Sequence, residues 1–299
     1  MKVLLQFPEG LKQKALEKAK ELAAQGHKVF ISASPSFGAC DLAIEEAKML
    51  KVDKIIHYGH AEFVKNAPVK VEYVEWHIDI NINWQDLVNE LKKQGAKSIA
   101  LGTTVQHIHQ IDEMKDFFES NGFTVNFKKG FRAKYPGQVL GCDAEAINVK
   151  GDVVVFVGDG MFHALAIDEE RDVYVVNPYS GKFRKINEDM VRLRKKRKGS
   201  IIKAVDANVF GILVSTKIGQ FNVALANHLK KEIDKRGKES FILVANTFDP
   251  LTLQNFRSFD AYVNTACPRI VDDVESFGKP ILNPDMLFEV FRIWDELEK

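Results

Sequence analysis

Three residues have the type and placement to hold a metal together: Cys40, Cys142 and Cys267, the only cysteines among 299 residues. They stand in the neighbourhoods FGACD, LGCD and NTACPR, 102 and 125 residues apart. An odd and sparse count excludes a disulfide framework and suits a reducing compartment. Scattered thiols are most often small buried hydrophobes. Against that, glycine, alanine or proline flanks each of these three, which places them in turns or loops, and the favoured ligand sites of a parallel sheet lie beyond the carboxyl ends of its strands. Three thiolates on one centre leave one position open, on a tetrahedral zinc carrying a reactive water or on one iron of a [4Fe–4S] cube. The first would be hydrolytic and would want a nearby acid or base. The second would let a substrate bind iron directly. Close-spaced iron–sulfur motifs are absent, and residue chemistry alone leaves both readings open.

Positioning such a set falls to the elements around it. Val3–Phe7 reads as a strand, Leu11–Gln25 as a helix with apolar or small residues at helical spacing, Lys28–Ser32 as a strand, Leu42–Leu50 as a helix and Lys54–Tyr58 as a strand. That βαβαβ order predicts a mostly parallel sheet covered by helices. The pattern restarts with strand Ser98–Leu101, helix Gln110–Ser120 and strand Thr124–Lys128, then a short helix near Ala144–Ile147 and strands Val153–Val157 and Val173–Val176. It restarts again with strand Phe210–Ser215, helix Phe221–Arg236, strand Ser240–Ala245, short helix Leu251–Asn255 and strand Ala261–Val263, before a terminal helix Met286–Leu297.

One cysteine falls in each third, each expected after a strand–helix–strand pair. HYGHAEF after the first and FVGDGMFH after the second read as divergent copies of one unit, while Cys267 lacks such a glycine loop behind it. The chain is therefore read as three similar Rossmann-like α/β domains, 1–95 with Cys40, 96–200 with Cys142 and 201–299 with Cys267. Lys+Arg (42) and Asp+Glu (41) nearly cancel to a formal +1, which argues against direct nucleic-acid binding. The opening MKVLLQFPEG is too short an apolar run for a signal peptide or a membrane span, and no later segment is long enough, so a cytoplasmic protein is expected.

Other residues carry weaker chemistry. Gly158, Asp159 and Gly160 after a strand are a structural turn or a close backbone approach to a cofactor, and His163 is a packed or a proton-transferring histidine. Gly59 and His60 are the first-domain counterpart. Neither stretch is a GxGxxG fingerprint, which counts against a nicotinamide dehydrogenase. Tyr179 and Ser180, in NPYSG, are turn residues or cofactor contacts. Gln6, Pro8 and Glu9 end the first strand on the same edge. His107 and His109, two apart, read as capping or cleft lining, or as a pair that ligates a metal with an acidic partner, and Asp272 and Asp273 as helix caps or partners of the Cys267 loop. The basic run at 192–198, with Arg192, Arg194, Lys195 and Arg197, is by default a solvated face, and otherwise a carboxylate grip or a docking patch for an acidic protein surface.

FGACD, LGCD, GDGMFH at 158–163, NPYSG at 177–181 and NTACPR, in that order, resemble the archaeal diphthamide synthases, and the resemblance spans essentially the whole chain. It implies three similar α/β domains in a triangular, pseudo-threefold arrangement, with Cys40, Cys142 and Cys267 binding a [4Fe–4S] cluster. It implies a non-classical radical use of S-adenosylmethionine. The bond from sulfur to the γ-carbon is cleaved, and the 3-amino-3-carboxypropyl radical adds to C2 of a histidine imidazole in translation elongation factor 2, with 5′-methylthioadenosine as co-product. This is the first step of diphthamide biosynthesis, and it implies a homodimer and an electron donor. The rivals are a Cys₃ zinc hydrolase and a non-enzymatic iron–sulfur scaffold that binds the elongation factor.

Overall fold

The structure is a computed structural model that describes residues 1–297. Three sheets follow one another along the chain. The first contains β1 (Lys2–Gln6), β2 (Lys28–Ile31), β3 (Lys54–Tyr58) and β4 (Val71–Val74), with α1 (Lys14–Ala24) and α2 (Ile44–Leu50) in its crossovers and α3 (Gln85–Lys93) after it. The second contains β5 (Ser98–Thr103), β6 (Thr124–Asn126), β7 (Val153–Val157), β8 (Asp172–Val176) and β9 (Phe183–Lys185), with α4 (Ile111–Ser120) between β5 and β6. Then α5 (Asn187–Val205) leads to a third sheet of β10 (Val209–Ser215), β11 (Glu239–Ala245), β12 (Ala261–Asn264) and β13 (Ile281–Leu282), with α6 (Val223–Asp234), α7 (Pro250–Leu253), α8 (Val274–Phe277) and α9 (Pro284–Leu297).

The strand orders are β2-β1-β3-β4, β6-β5-β7-β8-β9 and β11-β10-β12-β13. All pairings are parallel except β8 with β9. The expected three similar α/β sheets are therefore present, each with the first strand central and the second and third on either side of it. Central parallel strands are covered on both faces, which is why VLL in β1 and VVVFV in β7 read as unbroken apolar runs and are almost wholly buried. By compactness the chain divides into two units, one through Glu188 holding the first two sheets and one from Asp189 holding the third. The basic run expected as a solvated face lies on α5, a helix whose buried positions are limited to Met190, Ser200, Ile201 and Ala204.

In such a sheet the connections leave the first and third strands in opposite directions, and the crevice beyond their carboxyl ends is the favoured ligand position. Gln6 and His57–His60 occupy it in the first sheet, Thr103 and Gly158–Gly160 in the second, and Ser215 and Thr265–Cys267 in the third. The cysteines are not in equivalent loops. Cys40 and Cys142 follow the second strand of their sheets, as expected from a strand–helix–strand pair, but Cys267 follows the third strand, β12. It stands where the other two sheets carry HYGH and GDG, and so no glycine loop lies behind it.

Candidate functional site

All three cysteines are reduced and partly exposed, at loops on the carboxyl edges of their sheets. In the two Cys-Asp pairs the aspartate shapes the loop. The buried Asp41 carboxylate accepts from the Phe37 amide (3.3 Å). The buried Asp143 carboxylate accepts from the Arg132 amide (2.6 Å) and the Glu145 amide (3.0 Å). Arg132 thereby starts its side chain beside Cys142. Burial pushes the Cys142 thiol up, and the charge and hydrogen bond of Arg132 oppose it. At Gly141 a Cβ would run into the ring of Phe162, so glycine there lets the GDGMFH segment lie against the Cys142 loop.

Cys267 is held by amides instead. Asn264, 2% exposed, donates from Nδ2 to the Cys267 carbonyl (2.8 Å) and accepts from the Ala266 amide (3.0 Å). Asn283 donates to the Pro268 carbonyl (2.9 Å). Asp272 is gripped by Arg269, and by Arg197 of α5 at 2.9 Å, so the expected role of Asp272 at the Cys267 loop is realised as an ion-pair network. Arg197, named as a docking residue from sequence, is engaged in this network, whereas Arg192 and Lys195 are exposed. Arg192 lies 3.9 Å from Asp189.

The crevice of the first sheet holds a polar chain. Register sets Gln6 opposite His57. Gln6 donates from Nε2 to the Asp41 carbonyl (2.7 Å), while its Oε1 accepts from the Ala43 amide (3.1 Å) and lies 2.9 Å from His57 Nδ1. His57 Nε2 is 2.9 Å from His60 Nδ1. Gly59, at φ +84°, turns the chain so that His60 folds back, and a Cβ there would sit 2.9 Å from Pro8 Cγ. Burial, with the charge of His60 added, lowers the His57 pKa to about 3. Burial and the charge of His163 lower that of His60 to about 4. His57 was not singled out from sequence; the repeated polar pair in HYGH was its only signal.

The remaining sequence candidates cluster on the second sheet. Asn177 donates to Asp159 (3.3 Å) and accepts from the Tyr179 and Ser180 amides (both 3.0 Å), joining the GDG and NPYSG turns. Tyr179 packs edge-on near His107 (6.4 Å). Tyr179 and Ser180 also border an open cavity of about 530 Å³ shared with Asn81, Asn83, Asp86 and Lys182, which no cysteine lines. His107 is buried with Nδ1 at the Ile78 carbonyl (2.8 Å), and His109 pairs with Asp79 (2.8 Å) and stacks on His77, so the two line the edge separately.

Among the described residues, no three His, Cys, Asp or Glu side chains are gathered closely enough to hold a single metal ion. The donor chemistry fits an iron–sulfur group: three reduced soft donors, an arginine at one of them, and in the Cys40 loop the buried Ser36 hydroxyl, which has no hydrogen-bond partner among the described residues.

Residues 7–297 match the family described as "Putative diphthamide synthesis protein". The chain is 37% identical to 2-(3-amino-3-carboxypropyl)histidine synthase of Pyrococcus horikoshii, over 99% of its own length and 87% of that protein. It is 32% identical to the synthase of the same description from Methanocaldococcus jannaschii, over 95% and 82%. Crystal structures of Dph2 from P. horikoshii superpose with a TM-score of 0.89 at 37% identity, and one of them, described as containing a 4Fe-4S cluster, covers 98% of this chain and 86% of that one.

Proposed function

Because the chain belongs to the diphthamide synthesis family, we propose that it transfers the 3-amino-3-carboxypropyl group of S-adenosylmethionine to C2 of a histidine imidazole in translation elongation factor 2. This is the first step of diphthamide biosynthesis. The observation that carries the reading is one reduced cysteine per sheet, each on a carboxyl-edge loop, in a chain whose fold matches a cluster-bearing relative over nearly its full length. Cys40, Cys142 and Cys267 would hold a [4Fe–4S] cluster and leave one iron open to the methionine moiety. Bound there, such a cluster would supply the one-electron chemistry that cleaves the bond from sulfur to the γ-carbon.

The chain's own residues supply shape and charge around that chemistry. Asp41, Asp143 and the Asn264–Asn283 pair fix the three ligand loops before any ligand arrives, so little ordering is left to be done on binding. Gly158, Asp159, Gly160, His163, Tyr179 and Ser180 are the candidate contacts to S-adenosylmethionine, with the glycines allowing close backbone approach. Arg192, Arg194 and Lys195 of α5 are candidates for docking the protein substrate. A homodimer and an external one-electron donor complete the reading. No helix among the described residues is long and apolar enough to cross a membrane.

Anaerobic reconstitution tests the proposal. A brown protein with about four iron and four sulfide per chain is expected, as is a 3-amino-3-carboxypropyl group on one histidine of elongation factor 2 by mass spectrometry. Replacing any one of Cys40, Cys142 or Cys267 by alanine should lower iron retention. Stoichiometric zinc without acid-labile sulfide, or two of the three variants keeping full iron and activity, would overturn it.

A further inference from the structure

The transfer has a proton to dispose of. A sulfonium carbon–sulfur bond breaks, a carbon–carbon bond forms at imidazole C2, and the C2–H bond breaks. Summed over reactants and products the exchange is redox-neutral: the sulfonium and the imidazole give a thioether, a C2-substituted imidazole and one proton, and a base must take that proton.

The crevice of the first sheet holds a base in a defined state. The Gln6 amide cannot be turned over, because its nitrogen donates to the Asp41 carbonyl and its oxygen accepts from the Ala43 amide. Gln6 Oε1 therefore faces His57 Nδ1 only as an acceptor, and His57 must carry its proton on Nδ1. The neutral His57 then offers a bare Nε2, so His60 Nδ1 must be the donor between them. With its single proton on Nδ1, a neutral His60 keeps an unprotonated Nε2. His57 is wholly buried, whereas His60 is partly exposed, so His60 is the member of the pair nearer the surface.

Position agrees with chemistry. Gln6 ends β1 and His57 is the last but one residue of β3, the two strands that flank the crevice where open α/β sheets bind ligands. From Gln6 the chain reaches the backbone of residues 41 and 43, immediately after Cys40. From His60 it reaches the neighbourhood of His163, whose ring meets Phe162 at 5.3 Å, and Phe162 lies on Gly141 beside Cys142. His60 thus stands on a path of contacts between two cysteine loops of the same compact unit.

We propose that His60, held in one tautomer by Gln6 and His57, accepts the proton lost from C2 of the target imidazole. The inference rests on the transferase reading above. His57 is the positioning residue. The groups facing the pair are Gln6, His163, the Tyr58 carbonyl, which favours the charged form of His60, and Tyr73, edge-on to His57 at 5.4 Å. None of these is a carboxylate that would hold either ring protonated.

Two measurements test it. In the ¹⁵N-histidine-labelled full chain, long-range nitrogen–proton spectra at pH 7 should show both rings neutral with the proton on Nδ1; a His60 protonated on Nε2 overturns the inference by itself. In the reconstituted holoenzyme, His60→Gly should lower the ratio of modified substrate to 5′-methylthioadenosine about a hundredfold, within the usual contribution of a general base, with iron and sulfide content unchanged. Added imidazole should restore part of that ratio, which a merely structural role would not show. His57→Phe should lower the ratio less and alter its pH profile. An unchanged ratio in His60→Gly overturns the proposal, as does a lowered ratio that imidazole leaves untouched. If the unaltered enzyme forms no 5′-methylthioadenosine, the transferase reading fails instead.

Discussion

At the scale of single residues, a pair of neutral histidines, one buried and one partly exposed, has consequences for stability as well as for chemistry. His57 and His60 have folded pKa values of about 3 and about 4, below the ordinary value near 6.5. A group depressed in this way is neutral in the fold but takes up a proton in the unfolded chain. The stability it contributes is fully present above about pH 6.5 and is lost as pH falls toward the folded values. The slope is about 1.4 kcal/mol per pH unit for each histidine. Between pH 7 and pH 5 the fold should therefore lose about 2 kcal/mol for each of the two, read as a fall in the urea midpoint. His57→Gln should remove roughly half of that acid sensitivity. An identical fall in both proteins would show that the pair is not held neutral. The chemistry of this pair was only half visible beforehand: Gln6 and His60 stood out as edge residues, but what joins them is a strand register that pairs Gln6 with His57 across 51 residues.

Elements decide how well each cysteine is aimed. The loop of Cys267 hangs on two asparagines, one ending β12 and one just before α9, which between them bind the carbonyls of Cys267 and Pro268. Asn264→Ala should cost about 1 kcal/mol, since it removes two hydrogen bonds to part-buried backbone groups. It should also quicken iron loss to a chelator, while the same change at exposed Asn89 should do neither; equal iron retention in both would remove Asn264 from the support of the ligand. The elements that the residue pattern revealed are those with strong periodicity, such as α1, α6 and the apolar β7. The missed ones are short or masked. In β4 (VEYV) no residue is fully buried, and α3 follows a polar, aromatic stretch that hides its start. The helix α5 was concealed by its own charge, since lysines and arginines outnumber its few buried positions. Cys267 breaks the internal repeat because it follows the third strand of its sheet rather than the second, a distinction of topology that spacing along the chain does not carry.

For the molecule as a whole, a formal charge of +1 hides an uneven distribution. Seven residues at 192–198 contain six positive charges, all on α5. Some are used within the fold: Arg197 grips Asp272 at 2.9 Å, and Lys196 meets Glu275 at 2.9 Å. Arg192, Lys195 and Lys198 project into solvent. Exposed like charges on one helix gain little for stability, but they attract an acidic partner over roughly a Debye length, about 8–10 Å at physiological salt. If α5 docks the protein substrate, Arg192→Glu with Lys195→Glu should lower kcat/KM for elongation factor 2 about tenfold at low salt, mainly through association. The deficit should shrink at high salt as screening removes the attraction from the unaltered enzyme. Formation of 5′-methylthioadenosine without the protein substrate should not change. Arg197→Ala should behave differently, because it breaks a partly buried pair beside the Cys267 loop: stability and iron retention should fall, and added salt should not restore them. A double charge reversal with unaltered kcat/KM at low salt would place the docking face elsewhere and leave α5 as the helix that leads into the third sheet and braces Cys267.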